Sequence, residues 1–227
     1  MKFAWRTELP LLILIGALFV TAACAWSAAP DRIPVHWNIH GEVDRFGGKV
    51  EGLLGIPLVA LALYLLLLFL PRLDPGYANY QRFVGAYTVV RYALACFLWV
   101  VYAVILLAAF GQPVSVTEVM MVSVGILFFV LGSVMGKIRP NWFCGIRTPW
   151  TLSSKASWNK THRLGGWLFI LIGLCMAAAG LIGKGWALLG TFIIAGVGLV
   201  GLIVYSYIIW RSDPDRVPPA GTTATNG

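Results

Sequence analysis

Six stretches free of Asp, Glu, Lys and Arg dominate this 227-residue chain, at 9–30, 52–71, 92–117, 119–136, 164–183 and 185–210. Each is 18 to 26 residues long. A hydrocarbon layer about 30 Å thick is crossed by roughly 20 apolar residues in a helix rising about 1.5 Å per residue. Strands of a membrane barrel are shorter and alternate in polarity, so these stretches read as helices whose backbones satisfy themselves in lipid. The expected fold is an all-α, polytopic membrane helix bundle with six transmembrane helices. Only 11% of the residues are charged and 59% are hydrophobic, against about 25% charged in soluble domains. That excludes an ordinary cytosolic enzyme, a disordered chain and a disulfide-stapled module. Residues 1–71 hold the first two spans and a loop at 30–52, and residues 72–210 hold four spans and a loop at 137–163. The tail 211–227 is rich in Pro, Gly and Thr without apolar periodicity, and is expected to be disordered.

Basic residues orient the bundle. With the amino terminus inside, the inner segments hold 13 Lys and Arg and the outer ones 4, so both termini are placed in the cytoplasm by the positive-inside rule. The net charge of +8 then follows from inner loops beside anionic lipid and implies no direct nucleic-acid partner. Thr21-Ala22-Ala23-Cys24 loosely resembles a lipoprotein cleavage site, but the apolar run exceeds a signal core of about 7–15 residues, and an uncleaved span is expected. Cys24, Cys96 and Cys175 fall within spans and read as small apolar fillers. Only Cys144, in a basic loop, has a setting for reactivity.

Ser115 and Glu118 have capping-box spacing before the fourth span. Gly132/Gly136, Gly173/Ala177 and Ala179/Gly183 are small pairs four apart, which lets helices approach closely; packing within the bundle is favoured over dimer contact. Trp5, Trp26, Trp186 and Trp210 lie near span ends as interfacial anchors. No ionisable residue is expected at mid-membrane depth, Arg91 being placed at an inner edge from which it snorkels. The spans therefore read as scaffold, with function in the loops.

The outer loop, 30–49, is dense in turn formers and is expected to be compact and non-helical. His36 and His40 have the spacing of a helical metal pair, but Gly41 and the neighbouring prolines oppose a helix. A recognition surface made of Pro34, His36, Trp37, Asn38, Gly41, Asp44 and Lys49 is preferred to a metal site. In the inner loop, Pro140, Gly145 and Pro149 make the first half irregular, and Ser153 or Ser154 caps a helix running into the fifth span. On that helix Trp158, His162, Gly165 and Phe169 share a face. Lys and Arg here suit a lipid-facing charge cluster. Asn141, Thr148, Thr151 and His162 either tie the loop into a fixed shape or offer a docking face. No phosphate loop, nucleophile elbow or carboxylate pair is present, so no catalytic residue, metal or cofactor is assigned.

The segment Gly145-Ile-Arg-Thr-Pro-Trp-Thr-Leu-Ser-Ser, followed by Trp158 and Thr161-His162-Arg163, resembles the signature of the SdpI family. The family comprises bacterial membrane immunity proteins. The loop carrying Ile33-Pro34, His36-Trp37-Asn38, Gly41, Asp44 and Lys49 is similar to the small domain of unknown function that often precedes the signature, and Asp74-Pro75 with Asn79-Tyr80 adds to the likeness. The resemblance implies a multi-pass protein of the bacterial cytoplasmic membrane. It also implies immunity to a secreted peptide toxin and capture of a cytoplasmic transcriptional repressor by a motif comprising Asn141, Gly145, Arg147, Thr148, Pro149, Trp150, Thr151, Trp158, Thr161 and His162. On this reading the inner docking residues are Arg147, Trp150, Trp158 and His162. A transporter or lipid-handling protein without ion coupling ranks second, and a metal-assisted membrane enzyme using His36 and His40 ranks third.

Overall fold

The computed structural model describes residues 5–217. Six of its helices are long and apolar enough to cross a membrane. They are α1 (Trp5–Ala25), α2 (Gly55–Leu73, entered through a π-helical turn at Val50–Leu54), α4 (Val84–Ala109), α5 (Val116–Met135), α7 (Lys155–Ile182) and α8 (Gly185–Arg211). Two single-turn helices, α3 (Tyr77–Tyr80) and α6 (Pro149–Leu152), lie in the connections. The outer loop is a β-hairpin, with β1 (Ile33–Trp37) antiparallel to β2 (Val43–Gly47). It is non-helical as expected, and adds a small sheet to an otherwise helical chain.

The helices pack as two groups of three, α1–α2–α4 and α5–α7–α8, joined where α4 packs on α5. Leu11, Ile15 and Leu18 of α1 meet Ala60 and Tyr64 of α2 and Tyr102 and Ile105 of α4. Ala29, Ile33 and Leu53 close that core at the hairpin. In the second group α5 and α7 run nearly in backbone contact. A Cβ on Gly132 would stand 2.6 Å from the Gly166 carbonyl oxygen, and one on Gly125 would stand 2.6 Å from that of Gly173. The small-residue spacing of α7 is thus occupied by α5, and the packing reading of Gly132, Gly173 and Ala177 holds. Outward faces remain apolar. On α8, Phe192, Ile193 and Val197 are all more than half exposed, as suits a helix whose surroundings are lipid.

Three local expectations change. Ser115 stands at the start of α5, but its side chain caps nothing, and the Glu118 carboxylate lies beside Gly183 instead. The chain beyond α8 is ordered as far as it is described. Asp213 is buried, accepts a hydrogen bond from the Ser154 hydroxyl, and the Val217 N–H donates to the Ser153 carbonyl at 3.0 Å; residues 218–227 lie outside the described residues. Finally, Arg91 does not snorkel. It is 3% exposed, within α4, and is paired with a buried Glu8 in α1.

Candidate functional site

The 137–163 loop collects polar side chains and turns them inward. Asn141 is its first hub. Its Oδ1 accepts from the N–H of Phe143 at 2.9 Å and of Cys144 at 2.6 Å, and its Nδ2 donates to the carbonyls of Arg139 and Cys144, both at 2.9 Å. An Asn side chain that satisfies four backbone groups fixes a turn that proline and glycine alone would leave variable. A second anchor comes from the α2–α3 connection. Asp74, buried, accepts from Gly76 N–H at 2.6 Å, the Tyr80 hydroxyl at 2.9 Å and Trp142 N–H at 3.0 Å, while Asn79 donates to the Pro140 carbonyl at 2.8 Å. Burial and the neighbouring carboxylate push the Tyr80 phenol far above its ordinary range. Burial likewise raises the Cys144 thiol, which works against the thiolate form that reactivity in a basic loop requires.

The second half of the loop is built on α7. Ser154 caps α7 by accepting from Ser157 N–H at 2.9 Å. Trp158 is fully buried, stacks on His162 with ring centroids 4.1 Å apart, and donates from its indole to the Ile138 carbonyl at 2.9 Å. His162 Nδ1 faces the Trp158 carbonyl at 2.8 Å, which only accepts, so Nδ1 carries the proton. Its Nε2 then accepts from Ile146 N–H at 2.9 Å. Gly145, with φ +110°, passes directly over that nitrogen, and a Cβ there would run into the ring. Thr148 and Thr151 form a reciprocal cap on α6, with Thr148 N–H donating to Thr151 Oγ1 at 2.9 Å and Thr151 N–H to Thr148 Oγ1 at 3.1 Å. Thr148 also meets the Ser206 hydroxyl on α8 at 3.1 Å. Thr161 is buried. Of the two readings open for these polar groups, the fixed shape is the one observed. Exposed around it stand Trp142, Phe143, Arg147 and Leu152, with Arg147 donating to the Trp142 carbonyl. Trp150 leans edge-on against Tyr207 at 5.3 Å, and Pro149 is exposed as the first residue of α6.

At the other end of the bundle the hairpin keeps its polar groups outside. Asn38 shapes its turn, with Oδ1 accepting from His40 N–H at 2.9 Å and Glu42 N–H at 3.0 Å. Gly41 takes φ +80° and rests on α5, where Thr117 Oγ1 would lie 2.7 Å from a Cβ. His36 Nδ1 meets Asp44 Oδ1 at 2.6 Å across the strands, with both side chains well exposed. Lys49 Nζ donates to the Trp26 carbonyl at 3.2 Å and lies 3.7 Å from Asp31. Pro34 is buried and Trp37 half-buried against the bundle. His36 is thus paired with Asp44 rather than with His40, and among the described residues no three His, Cys, Asp or Glu gather as a metal site.

Residues 137–206, the motif with its α7–α8 support, match the SdpI/YfhL protein family. That segment, about a third of the chain, is similar to the SdpI family. Residues 12–61, the first span with the hairpin and the start of the second, match a domain of unknown function, DUF1648. The chain is also similar to the immunity protein SdpI of Bacillus subtilis (strain 168), at 22% identity over 200 residues that cover 88% of this chain and 94% of that protein. No solved structure matches. With six helices long and apolar enough to span a bilayer, and with these similarities, the chain is a multi-pass protein of the bacterial cytoplasmic membrane.

What the sequence concealed is a buried ion pair. Arg91 Nη1 and Nη2 donate to the two Glu8 oxygens at 2.7 and 2.6 Å, and Tyr64 donates to Glu8 Oε2 at 3.1 Å. The guanidinium also sits 5.4 Å from the Tyr64 ring centre. A two-pronged contact of this kind neutralises both ions inside lipid. The signal was available: Glu8 and Arg91 each stand near the start of spans that run in the same direction.

Proposed function

We propose that this chain is an immunity protein that raises the tolerance of its host to a secreted antimicrobial peptide. The observation that carries the reading is the match along nearly the full length of a protein named as an immunity protein. The basic bias of the 137–163 end supports a topology with that end in the cytoplasm and the hairpin outside. The hairpin then meets the peptide through His36, Asn38 and Asp44, which are solvent-accessible on a rigid turn. At the inner end a cytoplasmic repressor docks on Trp142, Phe143 and Arg147. Trp158 and His162 are wholly buried, so they shape that face without touching the partner. The test is expression in a peptide-sensitive bacterium challenged with a panel of secreted peptides. Survival should rise for at least one peptide and fall back with Asn38→Ala; unchanged killing across the panel defeats the reading. Impermeant maleimide should label a cysteine at Glu42 from outside and one at Arg139 only after lysis.

A further inference from the structure

The hairpin tip overhangs the side of the bundle where the two helix groups part. Beneath it lies an apolar cleft of about 530 Å³ whose walls include Val104, Met120, Met121, Met176 and Phe192. It is continuous with a polar recess of about 520 Å³ that reaches His40, Ser115, Glu118 and Lys184. The two share Ile39, Val116, Thr117, Met121 and Leu188. Met176 lies six residues before the end of α7, about 9 Å along its axis, so the cleft descends into the hydrocarbon while the recess stays at headgroup level. An apolar cleft bordering lipid does not hold water, and a recess with full charges does not take an alkyl chain. Together they fit an amphiphile.

The charges select its headgroup. The ion pairs among the described residues are Glu8–Arg91, His36–Asp44, Arg45–Glu51 and Lys49–Asp31. Neither Glu118 nor Lys184 belongs to one, although both border the same recess. A cation and an anion left without partners in one recess complement a phosphate and an amine in one headgroup. An anionic headgroup would satisfy Lys184 but leave Glu118 without a cation of its own. The methionines suit a flexible acyl chain, since thioether side chains repack readily. We infer that the cleft and recess bind a zwitterionic phospholipid, its headgroup between Lys184 and Glu118 and one acyl chain along Met121 and Met176. This goes beyond the immunity reading and does not depend on it.

The test uses the full chain in phosphatidylglycerol vesicles carrying a trace of phosphatidylethanolamine with a photoreactive acyl chain. The control is the equivalent photoreactive phosphatidylglycerol. Mass mapping should find the ethanolamine adducts concentrated at Met120, Met121 and Met176, about fivefold above the control lipid. Lys184→Glu should remove that preference, and the exchanged pair Glu118→Lys with Lys184→Glu should restore it, because a zwitterion can turn round. Both positions are exposed, so elution as a monodisperse species shows that each variant is folded. Adducts spread along the outward positions Ile193 and Val197 without enrichment, or equal adducts from both lipids, overturn the proposal. So does a preference that survives Lys184→Glu.

Discussion

At the motif end, Asn141, Thr148, Thr151, Trp158 and His162 turn their polar atoms inward and are buried. At the hairpin end, His36, Asp44 and Arg45 carry theirs on the surface, and the apolar residues Ile33 and Leu53 anchor the turn to the bundle. One loop is held by its own hydrogen-bond network, the other by a short ladder and the core beneath it. The difference bears on function. A side chain buried in a network cannot also greet a partner, so the recognisable motif mostly builds a platform, and contact falls to its exposed rim. A side chain on a hairpin surface costs little stability to change, which frees it to vary with the ligand.

The largest effect that would separate the two ends is Trp158→Ala. Removing a buried indole that stacks on His162 and reaches Ile138 should cost about 3–5 kcal/mol, read as a large fall in the unfolding midpoint in detergent. If the loss were within 1 kcal/mol of a hairpin surface substitution, the motif end would not be the rigid one.

Glu8 and Arg91 sharpen the comparison inside the membrane. Replacing either alone strands the other in an apolar core and should cost about 3–5 kcal/mol. The double change Glu8→Gln with Arg91→Met removes both ions and should cost clearly less than the two single losses added together. Additive losses would show that the two ions do not rely on each other. The measurement is unfolding of the four proteins of the cycle under one condition.

The six spans were legible because a bilayer sets a length that apolar runs either meet or miss, and the cap on α7 was legible because Ser154 precedes a helical pattern with the right spacing. The outer loop's turn formers gave its non-helical character, while its strands were too short to announce themselves. The Glu8–Arg91 pair was missed because each residue sits at the margin of its run, where a charge is ordinarily assigned to water; only the parallel direction of α1 and α4 brings them together. The apparent cap of Ser115 and Glu118 failed because spacing does not determine rotamer. The family resemblance pointed to Arg147, Trp150, Trp158 and His162 as one surface, but burial divides them. That division depends on the turn set by Asn141 and on the close approach of Gly145 to His162, which no pattern along the chain displays.

The tail gives a pH-dependent contrast. The Ser154 hydroxyl donates to Asp213, with help from nearby N–H groups and Arg216, and this holds the carboxyl below its ordinary value. A depressed value means that the tie contributes fully above the unfolded carboxyl pKa, near 4, and is lost as pH falls through the lower folded value. Amide exchange across 212–217 should therefore gain relative protection as pH rises from below the lowered Asp213 value to above the ordinary carboxyl range, after correction for intrinsic rate. Asp213→Asn should flatten that profile, and a wild-type profile already flat would remove the tie from the account.

The smallest stability effect is expected at His36 and Asp44. Their 2.6 Å contact joins side chains that are 62% and 42% exposed, and exposed pairs contribute roughly 0.2–1 kcal/mol. His36→Ala should leave the unfolding midpoint nearly unchanged. If the hairpin meets a peptide, the same substitution should nonetheless lower survival in the peptide challenge, because it alters the surface without altering the fold. Loss of both stability and survival would instead make His36 a strut, and would place the hairpin under the same rule as the motif end. Retention of both would leave His36 outside the contact and shift the search for it to Asn38 and the exposed tip at Ile39.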